Sequence, residues 1–500
     1  LGQGLPRGIA IRMQTSEGGT RMLAELGVAD WPLGELLRRT GLGAEGSEGL
    51  NSHFEVSAGF SQASGIEDIR LNARSGDGIL KLGDTAHPVT DLRIAGAYAR
   101  ADDKLALTLE SSGTGVFKGR ADLEVEQAMA GKGFRPFRLT SPALTASLMP
   151  FLAAPVDFAS VDASGEADLD ALAVRAATIR FVLGGSAFEI KGDAALTPDR
   201  QPGESPVIAT LDVTAPGPLP AETVVALWPV SLATSAREFG ATQIEAGVAR
   251  DAKGHVTLQR DSFAEGFLRD TDLEVTFAVE GARVKFLEDL PPVEDGVGTG
   301  RLTGNSFKAV LDSGVYAGWV VDEGLIDFPA FNPRGTEFRV FAKGHGPARN
   351  IVKTLAESRL AFDLDPARVS GDAEFTYELF RPALSDVPYE DLRFTGFGTL
   401  RNAGLKAAAF DFDMTGGSIK VDLDQNGMMM AGQASLGPSP VDFVWKDTFA
   451  DADKPAMLTA KSFVTADFLN GFGMLGRAYM TGEAPLDLKA TLDGADLKTA

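Results

Sequence analysis

The chain has 500 residues, a formal net charge of -22 at pH 7, 44% hydrophobic residues and no cysteine. The apolar content is too high for a disordered protein, and the lack of cysteine excludes disulfides, thiolate metal sites and a thiol nucleophile. The negative charge is spread along the chain, which argues against nucleic-acid binding and against docking on anionic lipid surfaces.

The first fifty residues are predicted to form one or two short helices. The stretches TRMLAELGV and WPLGELLRRTGLG space their apolar residues as helices do, with a break at Pro32 and an end at Gly41. From Ser52 to Glu126 the pattern changes to alternation, as in KLALTLE at 104–110. A period of two is typical of strands with one buried face, so this region predicts antiparallel strands.

A further helix is predicted for SPALTASLMPFLAAPV, with Ser141 as its N-cap and Pro142 in its first turn. Alternating strands then resume and end at the proline-rich segment APGPLPAE. Because proline and glycine interrupt regular structure, we place a boundary near Pro220. It separates an N-terminal half, residues 1–220, from a C-terminal half, residues 221–500.

Short helices are also expected at four places in the C-terminal half. They run from Glu222 towards Trp228, around Leu232 to Phe239, over PARNIVKTLAES at 347–358 and over DFLNGFGML near residue 470. Strand-like runs fill the space between them, and no exact repeat period emerges, which disfavours a regular solenoid.

The clearest alternation lies in residues 273–328. Apolar residues occupy every second position in separate runs such as LEVTFAV, FKAVL and VYAGWVV. Pairs of residues that favour chain reversal are predicted to be turns, namely Pro291-Pro292, Asp295-Gly296, Ser313-Gly314 and Glu323-Gly324. The stretch therefore predicts an antiparallel meander.

Two stretches also carry a resemblance to a known family. They are GARVKFLEDLPPVEDGVGTGRLTGNSFKAVLDSG, which begins at Gly281, and ALWPVSLATSAREFGATQIEAG, which begins at Ala226. The sequence resembles the AsmA-like proteins of the bacterial envelope, in particular the YhdP branch, which is related to TamB. Phe239 stands where that family has a Trp, and the likeness covers the C-terminal half of the chain best.

The resemblance implies a mainly β fold: an elongated, curled antiparallel sheet of U-shaped section, a taco-like apolar trough with a few short helices. It also implies a non-enzymatic phospholipid conduit between the inner and outer membranes, which contributes to outer-membrane lipid homeostasis and the permeability barrier. The protein would lie in the periplasm, held at the inner membrane by an N-terminal anchor outside this fragment. Outer-membrane or periplasmic proteins would be its partners, and no cofactor is implied.

The expected lining of such a trough is the apolar side of the alternating strands, since neighbouring side chains emerge on opposite faces. In most β-proteins these residues would be ordinary core, but a one-sheet trough has no opposing sheet, and lipid chains would cover it instead. The lining residues that this hypothesis names are Val275, Phe277, Val279, Phe307, Leu311, Trp319, Val321, Phe338, Val340, Leu360, Phe362, Leu364, Phe375, Phe410, Phe412, Ile419, Val421 and Leu423.

Catalytic signals are weak in this sequence. The histidines, His53, His87, His255 and His345, have no partner motif and are interpreted as solvated loop or strand-edge residues. DGVGTG at 295–300 lacks the third glycine and the following helix of a dinucleotide-binding loop, and is interpreted as a glycine-rich turn.

A metal site is not expected either. DLDQNGMMMAGQ at 422–433 begins like a calcium loop but ends in Gln433 where a bidentate Glu is needed. Both flanks alternate like strands, so the segment is predicted to be a hairpin that turns at Asn426-Gly427. At least one of the methionines that follow is expected to face a core.

The main alternative is an acidic extracytoplasmic β-rich adhesin or scaffold that binds glycan or protein. It predicts exposed aromatic or Asn/Gln ladders and a filled core. A hydrolase of envelope polymers is a third hypothesis, and no site residues support it.

Overall fold

The computed structural model describes residues 8–16, 18–32, 48–82, 85–113, 117–129, 131–148, 152–201, 203–230, 234–285, 291–357, 364–384, 387–409, 412–449, 455–471 and 479–492. Strands dominate these residues, and the helices are few and short. The described strands form two sheets, an antiparallel one of 26 strands and a small one of 3 strands. The predicted mainly β, antiparallel fold class is therefore confirmed.

The strands follow one another closely along the chain. They are β1 (Ile9–Thr15), β2 (Arg21–Pro32), β3 (Glu48–Gly49), β4 (Asn51–Ser61), β5 (Gly65–Ser75), β6 (Gly78–Leu82), β7 (Thr85–Val89), β8 (Leu92–Ala99), β9 (Lys104–Ser111), β10 (Phe117–Glu126), β11 (Arg135–Ala146), β12 (Val156–Asp168), β13 (Ala173–Leu183), β14 (Ser186–Leu196), β15 (Val207–Ala215), β16 (Leu219–Pro220), β17 (Ile244–Leu258), β18 (Leu273–Val284), β19 (Val293–Thr303), β20 (Phe307–Tyr316), β21 (Trp319–Phe328), β22 (Glu337–Pro347), β23 (Val369–Pro382), β24 (Arg393–Ala409), β25 (Phe412–Asp424), β26 (Gly427–Leu436), β27 (Ser439–Thr448), β28 (Ala456–Thr465) and β29 (Glu483–Leu492).

The helices interrupt the strands at a few connections. They are α1 (Ala221–Leu227), α2 (Thr234–Gln243), α3 (Ala348–Glu357) and α4 (Ala466–Gly471), with 3-10 turns at Pro366–Arg368 and Tyr389–Asp391. These four helices confirm the four predicted in the C-terminal half, although residues 231–233 and 472–478 lie outside the described residues.

The chain divides into two compact units. Unit 1 comprises Leu1–Glu238 and Arg250–Thr276, and unit 2 comprises Phe239–Ala249 and Phe277–Ala500. The boundary that the sequence suggests near Pro220 falls at β16, within unit 1.

Within each unit the large sheet is a sequential meander. In unit 1 the hydrogen-bonded order is β1-β2-β4-β5-β8-β9-β10-β11-β12-β13-β14-β15-β17. In unit 2 the order runs from β19 to β29 without a crossover. Short connections between antiparallel neighbours need no crossover helix, which explains how so few helices suffice.

Two helices predicted in the N-terminal half are strands instead. TRMLAELGV lies in β2, and SPALTASLMPFLAAPV contributes to β11 and the start of β12. Ser141 is buried in β11, where its hydroxyl donates to the Arg120 carbonyl rather than capping a helix. Pairing on both sides of these strands outweighs the local helix propensity of their Ala and Leu residues. Most of WPLGELLRRTGLG lies outside the described residues.

Three predicted turns lie inside strands. Asp295-Gly296 falls in β19, Ser313-Gly314 in β20 and Glu323-Gly324 in β21. The pairing shifts register next to them, between Glu294 and Val297 and between Val321 and Glu323. These residues therefore mark β-bulges, which favour the same small and polar residues as turns do.

The reversal between β20 and β21 occurs at Ala317-Gly318. Both residues have positive φ, 50° and 79° respectively. A two-residue hairpin turn requires this backbone geometry, which glycine adopts readily and alanine rarely.

Candidate functional site: the apolar face of the sheet

The strand register assigns every side chain in unit 2 to one of two faces. Directly opposed residues of antiparallel strands point to the same side of a sheet. One side can therefore be followed from β19 to β29. The first set of opposed residues runs from β19 to β24 and comprises Gly300, Ala309, Ile326, Val340, Leu379 and Phe394. Two residues further along β24, on the same side, a second set comprises Gly396, Leu423 and Met428, and two residues further along β26 a third set comprises Met430, Trp445, Leu458 and Ala490. We call this side the apolar face of unit 2.

Most of the predicted lining residues lie together on this face. Strand register, or for β18 the contact of the Phe277 ring with Gly300, assigns the following residues to this face: Phe277, Val279, Phe307, Leu311, Trp319, Val321, Phe338, Val340, Phe375, Phe412, Ile419, Val421 and Leu423. Val275 projects from the same side of β18 as Phe277, in the portion of that strand that belongs to unit 1.

Of the other predicted lining residues, the one that the structure describes is not in a strand. Leu364 lies just before the 3-10 turn at Pro366–Arg368, and is half-buried. Leu360, Phe362 and Phe410 fall outside the residues that the structure describes. The sequence-based list also missed residues of the apolar face such as Phe394 and Trp445, although Phe394 alternates with Leu392 and Trp445 with Phe443.

A cluster of large side chains forms the most buried region of this face. Its members are Phe394, Leu423, Met428, Trp445 and Ala456, all between 6% and 8% exposed, and Tyr377, Val421, Met430 and Leu458 pack against them. They come from neighbouring strands of one sheet. The expectation that a methionine of the 428–430 run faces a core is confirmed by Met428.

The sheet is bent between β24 and β26. Cα atoms of β24 and β26, which have β25 between them, approach within 8 Å. A flat sheet would hold such strands about 9.6 Å apart, twice the usual spacing. β24 contains a register shift between Leu400 and Ala403, and bulges of this kind bend and twist a strand.

Aromatic rings lie across glycines on the apolar face. The Phe277 ring covers Gly300 so closely that a Cβ atom there would collide with it, and a Cβ atom on Gly396 would lie 2.7 Å from the Phe375 ring. The glycines of DGVGTG are thus strand residues with buried positions at 296, 298 and 300, and the predicted glycine-rich turn is wrong. Large rings on adjacent strands replace the side chains that glycine lacks.

Two helices cover portions of the apolar face. Ala348 and Ile351 of α3 pack with Trp319 and Ala373. The ring of Phe468 in α4 stacks on Phe412, with the ring centroids 5.2 Å apart. Since Trp319 and Phe412 are both predicted lining residues, these two positions contact protein on the helix side.

The opposite side of unit 2 carries charges. Arg393 binds Glu337 at 2.6 and 2.7 Å, Arg339 binds Glu378 at 2.6 Å, and Arg401 binds Glu374 at 3.2 Å. The two residues of each pair lie on different strands. Each of them is next in sequence to a residue of the apolar face, so its side chain points to the opposite side of the sheet. We call this side the polar face of unit 2.

Unit 1 shows the same division. Ile69, Tyr98, Leu105 and Leu107 share one side of β5, β8 and β9, where they line an open apolar hollow. The other side carries ion pairs, namely Arg180 with Glu189 at 2.7 Å, Arg138 with Asp162 at 2.8 Å and Lys104 with Glu124 at 2.9 Å. The hydrogen bonds from Arg93 and Arg74 hold the pKa of Asp91 below its usual range.

The described histidines are strand residues. His255 lies 2.8 Å from Asp212, and His345 lies 2.8 Å from Asp322, through Nδ1 in both cases. His53 is exposed in β4 and 3.8 Å from Glu55. The prediction that these residues are solvated is confirmed for His53, His255 and His345, whose side chains are 52–61% exposed, but they lie in strands rather than loops and each has an acidic residue nearby.

The segment that resembles a calcium loop is a hairpin. β25 ends at Asp424 and β26 begins at Gly427, so the turn is Gln425-Asn426, one residue earlier than predicted. The Asp424 side chain accepts hydrogen bonds from the backbone of Asn426 and Gly427 at 2.7 and 3.1 Å. In the portion of the chain that the structure describes, no group of three or more potential metal ligands occurs.

No known family model matches the chain, and no curated protein or solved structure does either. The likeness to the AsmA-like proteins therefore remains a prediction from the motifs. None of the described helices has the length and apolar character that crossing a membrane requires.

Proposed function

We propose that this protein is a non-enzymatic phospholipid conduit in which acyl chains lie along the apolar face. The observation that carries the proposal is the separation of the two faces: one apolar side runs from strand to strand through unit 2, and ion pairs line the other. Among the described residues, the major contacts of each strand in this sheet are with its hydrogen-bonded neighbours, so its core cluster is built within one layer.

The energetics favour an apolar ligand on such a face. Contiguous apolar surface beyond a few hundred Å² is rare on soluble proteins and marks a binding site. Each CH₂ group that an acyl chain withdraws from water contributes about 0.8 kcal/mol. A lipid would therefore remain on the face, while a lining of similar side chains keeps the barriers between neighbouring positions low.

The cellular role belongs to the same proposal. The motifs that resemble the AsmA-like family support a periplasmic protein that carries phospholipid between the inner and outer membranes and helps to maintain the outer-membrane barrier. The partners would be the phospholipid itself, the inner membrane and envelope proteins.

A binding protein for glycan or protein is the second candidate, because some aromatic residues lie on the polar face. Phe397 is 49% exposed and Phe463 is 54% exposed, and both alternate with residues of the apolar face. Exposed rings of this kind are typical of recognition surfaces.

Organic extraction of the purified protein distinguishes the two candidates. We expect mass spectrometry of the extract to find phospholipids with mixed headgroups, since the apolar face offers area and few fixed charges. An extract without lipid, from protein whose circular dichroism shows intact strands, would contradict the conduit and favour the second candidate.

A further inference from the structure

Two tyrosines interrupt the apolar face of unit 2. Tyr377 lies in β23, opposite Ala342 on one side and Gly396 on the other. Tyr316 ends β20 opposite Trp319. Both side chains are half-buried and share their face with apolar residues and glycines.

Their hydroxyl groups lack partners within the described protein. The Tyr389 hydroxyl donates to the Gln425 carbonyl at 3.1 Å, whereas the hydroxyls of Tyr316 and Tyr377 form no hydrogen bond with any residue that the structure describes. Tyrosine hydroxyls in apolar surroundings usually find a partner, because leaving one unsatisfied costs free energy. Neither hydroxyl is among the described buried polar atoms that lack a partner, so both reach solvent and are accessible to a ligand.

The surroundings restrict the chemistry of such a ligand. Burial, with smaller contributions from the nearby Tyr316 and Tyr389 phenols, raises the pKa of Tyr377 to about 12. Burial also raises the pKa of Tyr316. Both hydroxyls therefore stay protonated at physiological pH and act as hydrogen-bond donors to an oxygen acceptor.

A lipid supplies such an acceptor where its chains meet its headgroup. The half-buried residues Val421, Met430 and Leu458 pack around the buried cluster beside Tyr377 and offer apolar area for acyl chains. The ring of Phe394 lies 6.2 Å from that of Tyr377 and holds one side of it. A chain lying on the cluster would bring its ester carbonyl into the neighbourhood of the phenols.

We propose that the hydroxyls of Tyr316 and Tyr377 donate hydrogen bonds to the ester carbonyl groups of a diacyl glycerolipid, and so form a preferred position along the apolar face. The inference rests on the proposed conduit function and adds the substrate class, ester-linked rather than ether-linked lipid. Ester carbonyls are good acceptors, whereas ether oxygens are weak ones.

The test compares two lipids on four proteins. The lipids are a short-chain diacyl phosphatidylcholine and its diether analogue, titrated calorimetrically into the wild type, Tyr377→Phe, Tyr316→Phe and the double variant. We expect the wild type to bind the diacyl lipid more tightly, and each substitution to weaken that binding about threefold to tenfold, the worth of one hydrogen bond. Binding of the diether lipid should not change.

A control variant separates this role from a structural one. Tyr389→Phe removes a hydroxyl that already has a protein partner, so it should affect both lipids equally or neither. Equal losses for both lipids in the Tyr377 and Tyr316 variants, or unchanged diacyl binding in the double variant, would overturn the inference while leaving the conduit intact. If the folded wild type binds neither lipid, the conduit fails as well.

Discussion

The two faces of the unit 2 sheet share one backbone but differ in the burial and the charge of their side chains. Trp445 is 6% exposed among large apolar neighbours, whereas the next residue, Lys446, is exposed on the polar face. Ion pairs such as that of Arg339 with Glu378 occur on the polar side. In a β-sandwich a second sheet covers the apolar side. Here the described core residues are neighbours within one sheet, and half-buried apolar residues such as Val421 and Leu458 surround them.

The largest expected effect on stability comes from truncating a large side chain in the apolar cluster. Trp445→Ala removes a buried side chain that packs among Phe394, Leu423 and Met428. We expect it to lower the free energy of unfolding by about 3–5 kcal/mol, the usual cost of such a truncation in a core. Urea denaturation of the purified protein measures this change.

Lys446→Ala is the matched control on the polar face. It alters an exposed residue of the same strand and should change the free energy of unfolding by less than about 0.5 kcal/mol. Equal effects of the two substitutions would show that the faces do not differ in packing.

A smaller effect is expected from filling the space under an aromatic ring. Gly300→Ala puts a Cβ atom against the Phe277 ring and should cost about 1–3 kcal/mol of unfolding free energy, because the ring must shift. Combining it with Phe277→Ala removes the collision. The double variant should therefore lose less stability than the two single losses added together, by about 0.5–3 kcal/mol.

Gly254→Ala provides the comparison for that glycine. The nearest atom to a Cβ there is 3.5 Å away, an ordinary contact. This substitution should be nearly neutral. If Gly300→Ala were as well tolerated, or if the losses in the double variant were simply additive, the ring of Phe277 would not lie over the glycine as described.

The alternation of apolar residues predicted much of this architecture from the sequence. It identified the strands that carry Phe277, Phe307 and Phe338, and it assigned those residues to one side of the sheet. Alternation is reliable here because a one-residue slip would move a whole strand's apolar set to the wrong face.

Turns and the first helices were beyond what the sequence could resolve. Asp295 has a φ of 51° within a strand, and aspartate and glycine support both bulges and turns, so composition alone does not separate the two. The turn at Ala317 was not predicted, because alanine is not a residue type that favours turns. Ser141 precedes Pro142 as a helix cap often does, yet β11 is paired on both sides, and this long-range pairing is invisible in a local pattern.

Photo-crosslinking at adjacent residues of β25 tests the central claim most directly. Val421 is half-buried on the apolar face, and Lys420 is exposed on the polar face. A photoreactive amino acid is placed at either position, and the protein is irradiated with vesicles of labelled phospholipid. The proposed conduit predicts a lipid adduct at position 421 and none at 420. Equal labelling at both positions, or an adduct at 420 alone, would contradict a lipid-binding apolar face.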